Sequence, residues 1–132
     1  MATQAKDQKV VGAMAAMILK DLVLHGSASF VDLERIPGVR GELSFPPSGN
    51  LLLWKGVSQT AFDAIGILWR AGLVHFVPVL HLQYVQEGKV VELPIAEFDG
   101  DIKGPLHEPH WLPMVLKPGP QPPGTWRKPT FH

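Results

Sequence analysis

Proline is distributed very unevenly along this chain of 132 residues. Eight of its 13 prolines fall between residues 105 and 132. Because proline fixes the backbone φ angle and lacks an N–H group, it interrupts helices and is excluded from the middle of a sheet. We therefore expect the segment from Pro105 to His132 to form neither an interior helix nor a central strand. This places a domain boundary near residue 97, with the core in residues 1–96 and a proline-rich, extended C-terminal arm in residues 97–132.

The composition limits the classes of protein that this sequence can encode. Apolar residues make up 45% and charged residues 18%, which suits one packed domain. Twelve basic residues balance 12 acidic ones, so no net charge attracts nucleic acid or an anionic membrane. The absence of cysteine excludes disulfides, thiolate nucleophiles and cysteine-ligated metals, and it favours a reducing, cytoplasmic location. The apolar stretch of residues 10–19 is half of the roughly 20 residues that span a bilayer, so we expect no membrane partner.

Residues 8–25 have the spacing of a helix, and Gly26 follows as a stop signal. The helical stripe comprises Val11, Met14, Ala15, Ile18 and Leu22, with His25 at its end. Further apolar residues lie off this stripe, namely Val10, Met17, Leu19, Val23 and Leu24. A helix that is apolar most of the way round must be covered on several sides. Either a second copy in a homodimer or deep burial within the same chain would provide that cover.

Capping residues indicate two further helices. Ser29 and Asp32 form a capping pair before a short helix that Pro37 and Gly38 end. Ser58 caps a third helix, and Gly72 stands at its C-terminal stop. The apolar face of the third helix comprises Ala61, Phe62, Ile65, Leu68 and Trp69. A turn cluster at residues 46–50 separates two short candidate strands, ELSF and LLLW.

The segments LVHFVPVLHLQYVQ and KVVELPIA flank Glu87-Gly88 and predict a β-hairpin. In the antiparallel register that pairs residues whose numbers sum to 175, six apolar residues lie on one face of the hairpin. The pairs are Leu80 with Ile95, Leu82 with Leu93, and Tyr84 with Val91. The other face then carries His81, Gln83, Glu92 and Pro94, which is the alternation of a hairpin with one buried side.

Helix, short helix, helix and then a strand entering a hairpin is the element order of a winged-helix domain. The passage SQTAFDAIGILWRAGLVHF, residues 58–76, resembles the third helix of that family running into its wing, and the resemblance covers roughly residues 9–96. It implies an α+β fold with a winged-helix-like three-helix core and a β-hairpin wing. It also implies binding to duplex DNA, with the third helix in the major groove and the hairpin tip over the backbone, although many members bind proteins instead.

Candidate nucleic-acid contacts lie on the outer face of the third helix, just before it, and at the hairpin tip. They are Lys55, Gln59, Thr60, Arg70 and Lys89. Side chains of these types contact phosphates and base edges. Asp63 lies on the same helix face and Glu87 near Lys89, so both regions are nearly neutral, whereas strong DNA binders present several basic residues. The alternative for these residues is an ordinary solvated surface.

Large apolar side chains punctuate the proline-rich arm. They are Trp111, Leu112, Met114, Val115, Leu116, Trp126 and Phe131. Such side chains either pack on the domain or contact a partner. For a protein partner, the candidate contact residues are Trp54, Trp111, Met114 and Trp126. An arm that crosses to a second copy would also account for the apolar first helix.

No constellation of residues indicates catalysis, a metal or a cofactor. His107 and His110 flank Pro109, which forces an extended backbone, and no third ligand is evident. Neither a glycine-rich phosphate loop nor a nucleophile elbow occurs. We therefore expect a non-enzymatic module that binds duplex DNA and regulates transcription. The alternative is an adaptor or inhibitor of another protein that uses the same scaffold and the aromatic arm.

Overall fold

The computed structural model describes residues 4–46, 49–96 and 108–120. Within these ranges the chain forms a mixed α+β fold with four helices and several small sheets, which confirms the α+β part of the expected fold class. In chain order the elements are α1 (Gln4–His25), β1 (Ala28–Ser29), α2 (Phe30–Leu33), β2 (Arg40–Phe45), β3 (Leu51–Leu52), β4 (Trp54–Val57), α3 (Gln59–Arg70), β5 (Val74–Pro78), α4 (His81–Glu87), β6 (His110–Trp111) and β7 (Met114–Pro118).

The first three helices form where the sequence predicts them. The buried stripe of α1 is Met14, Ala15, Ile18 and Leu22, and this stripe packs in the same core as the inner face of α3. Ser29 Oγ accepts a hydrogen bond from the Asp32 backbone N–H at 3.1 Å, and the Asp32 carboxylate accepts one from the Ser29 N–H at 3.0 Å. This reciprocal pair is a complete capping box for α2. No helix in the described ranges combines the length and hydropathy that a bilayer crossing requires.

The N-terminus of α3 is fixed by Ser58. Its Oγ accepts a hydrogen bond from the Ala61 N–H at 3.0 Å and donates one to the Gly38 carbonyl at 2.6 Å. At the other end, Gly72 adopts a left-handed φ of 73°, which ends the helix and turns the chain into β5. The predicted cap and stop residues of α3 are therefore confirmed.

The largest sheet has three strands in the order β1-β7-β5, and both pairings are antiparallel. The central strand is β7, whose residues pair with β5 from Val74–Pro118 to Pro78–Met114. The expectation that the segment after Pro105 contains no central strand is therefore wrong. The reason is the position of the prolines: Pro113 precedes the strand and Pro118 is its last residue, so the backbone N–H groups between them are free to pair. The boundary proposed near residue 97 adjoins residues 97–107, which lie outside the described ranges.

The predicted hairpin register is wrong. Residues His81–Glu87 form α4 instead of a strand, and β5 pairs with β7 rather than with residues 90–96. Gly88 adopts a left-handed φ of 85° and its N–H bonds to the last carbonyls of α4, so the expected hairpin turn acts as a helix C-cap. Of the three residues expected to face inward on the first strand, Tyr84 is buried, whereas Leu80 is 79% exposed and Leu82 is 52% exposed.

Two smaller sheets complete the fold. The candidate strand ELSF is confirmed within β2, whereas LLLW is divided at Leu53 between β3 and β4. Strand β2 pairs with β4 in antiparallel, and β3 pairs with β6 in parallel. Trp54 of β4 and Trp111 of β6 belong to an aromatic cluster in the core. Phe30 stacks on Trp54 at 5.9 Å between ring centroids, and Tyr84 contacts Trp54 at 5.0 Å and Trp111 at 5.2 Å. The core therefore extends from α1 and α3 to the residues around α4.

Candidate interaction surfaces

The outer face of α3 is not basic. Gln59 is exposed, but its amide donates a hydrogen bond to Asp63 Oδ1 at 2.9 Å, and Thr60 is half-buried. The apolar side chain of Ile67 is exposed on the same helix. Arg70 is exposed in the last turn, about 15 Å along the helix from Thr60. Lys55 is exposed on β4. These four candidates remain at the surface, but an acid and an apolar residue lie on the same helix as three of them.

Lys89 is engaged within the fold. Its ammonium group lies 2.7 Å and 2.9 Å from the two carboxylate oxygens of Glu34 and 5.7 Å from the centre of the Trp54 ring. The Trp54 indole N–H donates to the same Glu34 carboxylate at 3.1 Å. The Glu34 side chain is only 10% exposed. Lys89 therefore neutralises a nearly buried acid and joins the end of α4 to the end of α2, instead of offering a free charge to phosphate.

The residues expected to contact a protein partner lie in the core. Trp54, Trp111 and Met114 are all buried, so the expectation that they form a contact surface is wrong. Trp111 donates its indole N–H to the Leu53 carbonyl at 3.1 Å, and Met114 lies on the core side of β7. Large aromatic side chains gain more from such burial than from exposure. The fourth candidate, Trp126, lies outside the described residues.

The histidine pair of the arm does not form a metal cluster in the described residues. His110 is half-buried in β6, and its Nδ1–H donates to the Glu108 carbonyl at 2.7 Å. His107 lies outside the described residues. In the part of the chain that the structure describes, no group of three or more histidine or acidic side chains is placed to hold a metal ion.

An apolar surface that sequence reasoning missed surrounds α4. Its members are Leu80, Leu82, Val85, Val90 and Ile95, all at least 40% exposed, and we call them the α4 surface. An open groove of about 310 Å³ adjoins it. The groove is lined by Pro78, Val79, Leu80, His81, Ile95, Ala96, Leu112 and Pro113. The sequence signal that could have identified this surface is Gly88, a helix C-cap seven residues after His81.

The inner side of α4 is anchored at both of its turns. The Tyr84 hydroxyl accepts a hydrogen bond from the Phe30 N–H at 3.0 Å and donates one to the Met114 carbonyl. Burial of this hydroxyl raises the pKa of Tyr84 well above its ordinary value. One turn later, Ser29 Oγ donates to Glu87 Oε2 at 2.6 Å. These contacts fix α4 in one orientation and hold its apolar outer side toward solvent.

A second exposed apolar surface lies on α1. Val10, Ala13, Met17 and Leu24 are exposed along one side of this helix, and we call them the α1 face. The sequence left open whether such residues are covered by the same chain or by a second copy. The described residues leave them uncovered, with Val10 at 49%, Met17 at 45% and Leu24 at 67% exposure.

Comparison with known proteins does not place the chain in a family, since no family model, no curated protein and no solved structure matches it.

Proposed function

We propose that this protein is a non-enzymatic adaptor or inhibitor that binds another protein through the α4 surface and the adjoining groove. The order of α1, α2, α3 and β5 resembles that of a winged helix, although β2, β3 and β4 lie between α2 and α3, and α4 stands where the hairpin wing was expected. Many proteins with this element order bind other proteins, so the choice between partners depends on the surface.

The observation that carries the proposal is the outward position of Leu80, Leu82 and Val85 on an anchored helix. Large exposed apolar surfaces on soluble domains often mark binding sites. Two members of the α4 surface, Leu80 and Ile95, line the groove directly. The groove lining is mainly aliphatic and proline, with His81 as its titratable side chain. Such a lining suits an apolar side chain from a protein partner, with the rest of the partner lying across α4.

Selection of displayed random peptides against the purified protein tests this proposal. We expect the selected peptides to share large apolar residues and to bind at least about tenfold more weakly to Leu80→Glu. Leu80 lies at the N-cap of α4 and is exposed, and an acid there suits the helix dipole, so this variant retains the fold. The matched control is Met17→Glu on the α1 face, which leaves peptide binding unchanged. Equal binding of the selected peptides to wild type and Leu80→Glu would overturn the proposal.

Binding to duplex DNA is the second candidate function. It is favoured by the exposure of Lys55 on β4, just before α3, and of Arg70 in the last turn of α3, and by the winged-helix-like element order. This candidate ranks second because Lys89 is bound to Glu34, the Gln59 amide is bonded to Asp63, and the acid Asp63 lies on the face that would approach phosphate.

A salt titration of binding to random-sequence duplex DNA separates the two candidates. A protein that neutralises several phosphates binds tightly at low salt and weakens steeply as salt rises. We expect little binding even at low salt, and no change in the Lys55→Ala, Arg70→Ala double variant. Tight binding at low salt that this double variant abolishes would establish the DNA candidate in place of the adaptor.

A further inference from the structure

The exposed apolar residues of α1 follow the spacing of a helix–helix seam. Val10, Met17 and Leu24 are seven residues apart, and Ala13 lies three residues after Val10. Apolar residues at this 3.5-residue spacing form the contact between two packed helices. A neighbouring side of α1 is already occupied, because Met14, Ile18 and Leu22 are buried against the rest of the domain. The α1 face is therefore a second seam on the same helix.

We propose that the α1 face binds the same face of a second copy of this chain, with the two helices antiparallel and Met17 at the two-fold axis. Such a contact is self-complementary, as two-fold dimers require. Because Met17 lies midway between Val10 and Leu24, an antiparallel pair places Val10 of each copy against Leu24 of the other. The inference is independent of the α4 surface and adds an assembly state to the proposed function.

The charges of α1 favour the antiparallel arrangement. Between residues 8 and 25 the outward side carries two lysines, Lys9 and Lys20, while Asp21 is half-buried at the edge and contacts His25. In a parallel pair each lysine would lie beside the same lysine of the second copy. In an antiparallel pair Lys9 lies instead at the C-terminal end of the other helix, where the helix dipole supplies partial negative charge.

The position of Lys20 and the size of the contact predict a reversible dimer. Lys20 falls at a seam position, three residues after Met17, and a lysine there costs stability while restricting the register. Its aliphatic stem covers the seam while its ammonium group reaches solvent. The seam from Val10 to Leu24 is about 21 Å long. One pair of helices of this length buries less than the ~1,200–2,000 Å² of a standard stable interface, so dimerisation depends on protein concentration.

Single-cysteine variants of the full chain test the geometry, because the natural sequence has no cysteine. Under mild oxidation we expect Met17→Cys to form a disulfide-linked dimer rapidly. Val10→Cys and Leu24→Cys are each expected to link poorly alone and to link efficiently when mixed with one another. The matched control is Leu82→Cys, which places an equally exposed thiol on the α4 surface and remains monomeric.

Two cross-linking outcomes would overturn the inference. Self-linking of Val10→Cys as fast as that of Met17→Cys would indicate a parallel pair. Linking of Leu82→Cys at the rate of Met17→Cys would indicate random collision. Sedimentation equilibrium from micromolar to millimolar protein supplies the second measurement.

We expect wild type to show a monomer–dimer equilibrium and Met17→Glu to weaken it at least about tenfold, with Leu82→Glu unchanged. A wild-type chain that stays monomeric throughout also rejects the dimer. Because monomeric Met17→Glu should still bind peptides selected on the α4 surface, failure of the dimer and failure of the adaptor function give different results.

Discussion

Tyr84 connects three parts of the fold through one hydroxyl group. It belongs to α4, accepts a hydrogen bond from the N–H of Phe30 in α2 and donates one to the carbonyl of Met114 in β7. Its ring also packs against Trp54 and Trp111. Because a buried hydroxyl is costly to ionise, the pKa of Tyr84 is raised well above its ordinary value of about 10.

This raised pKa predicts a loss of stability in alkali. Below about pH 10 the hydroxyl is protonated in both the folded and the unfolded chain. Above that pH the unfolded chain loses the proton while the folded chain keeps it, so the free energy of unfolding falls by up to about 1.4 kcal/mol per pH unit from this group. Tyr84 is the only tyrosine, so it alone can produce the tyrosinate increase in absorbance near 295 nm, over the absorbance of the four tryptophans. We expect no tyrosinate signal until the protein unfolds.

Tyr84→Phe supplies the control for this prediction. It removes the ionising group and leaves the Phe30 N–H and the Met114 carbonyl without that partner, which costs about 1–3 kcal/mol at neutral pH. The free energy of unfolding of Tyr84→Phe, measured with urea, should therefore be lower than that of wild type at neutral pH. It should also fall less between about pH 9 and 11, the range around the ordinary tyrosine pKa. A tyrosinate signal near pH 10 in folded wild type would contradict the burial described for this hydroxyl.

At the scale of elements, local signals predicted α1, α2 and α3 but not α4 or β7. Helix caps are encoded within a few residues, as Ser29, Ser58 and Gly72 illustrate. Leu80, Leu82 and Tyr84 fit the alternation of a strand, and Leu80 and Tyr84 also fit the four-residue spacing of a helix. The strand interpretation places Leu80 and Leu82 in the core. Strand β7 was missed because its partners in β5 lie about 40 residues earlier in the chain, beyond the reach of any local pattern.

The same limits explain which surface residues could be predicted. Lys55, Gln59 and Arg70 are exposed as expected, because charged and amide side chains follow the outer side of a regular element. Trp54 was assigned to the surface without a partner to cover it, and the structure supplies Phe30, Tyr84 and the Glu34 carboxylate. The α4 surface could not be predicted once α4 itself had been interpreted as a strand.

The close approach of β2 to the start of α3 predicts opposite effects of two glycine-to-alanine changes. A Cβ at Gly41 would lie 2.5 Å from the backbone Cα of Ser58, the residue that caps α3. Gly41→Ala must therefore move an element boundary, and we expect a loss of about 1–3 kcal/mol. Gly12 lies inside α1 with open space around its Cα, so Gly12→Ala should gain about 0.5–1 kcal/mol through helix propensity.

Urea unfolding of the two variants beside wild type measures both effects. A neutral Gly41→Ala would show that β2 and α3 tolerate separation at this point. A destabilising Gly12→Ala would show that the outward side of α1 has contacts besides those described.

At the scale of the whole molecule, one strand joins the parts of the fold. Strand β7 lies between β1 and β5, and its residues Met114, Val115 and Leu116 are all buried. Without it, β1 and β5 have no direct hydrogen bonds to one another in the three-stranded sheet. The carbonyl of Met114 also accepts the hydrogen bond from Tyr84.

This central position predicts how the chain responds to shortening. A chain of residues 1–112 lacks β7, and we expect it to lose cooperative urea unfolding and the near-ultraviolet circular dichroism of packed aromatic rings. The matched control of residues 1–120 keeps every described element and should unfold in one transition close to that of the full chain. A cooperative transition in the 1–112 chain would show that β7 is not needed for the fold.

The late position of β7 also affects how the protein is made. As the ribosome synthesises the chain from its N-terminus, β1 and β5 emerge well before the strand that pairs with both of them. Until Met114–Pro118 follow, the nascent polypeptide exposes the apolar side chains that this strand later covers. These side chains are therefore open to aggregation until β7 has been synthesised.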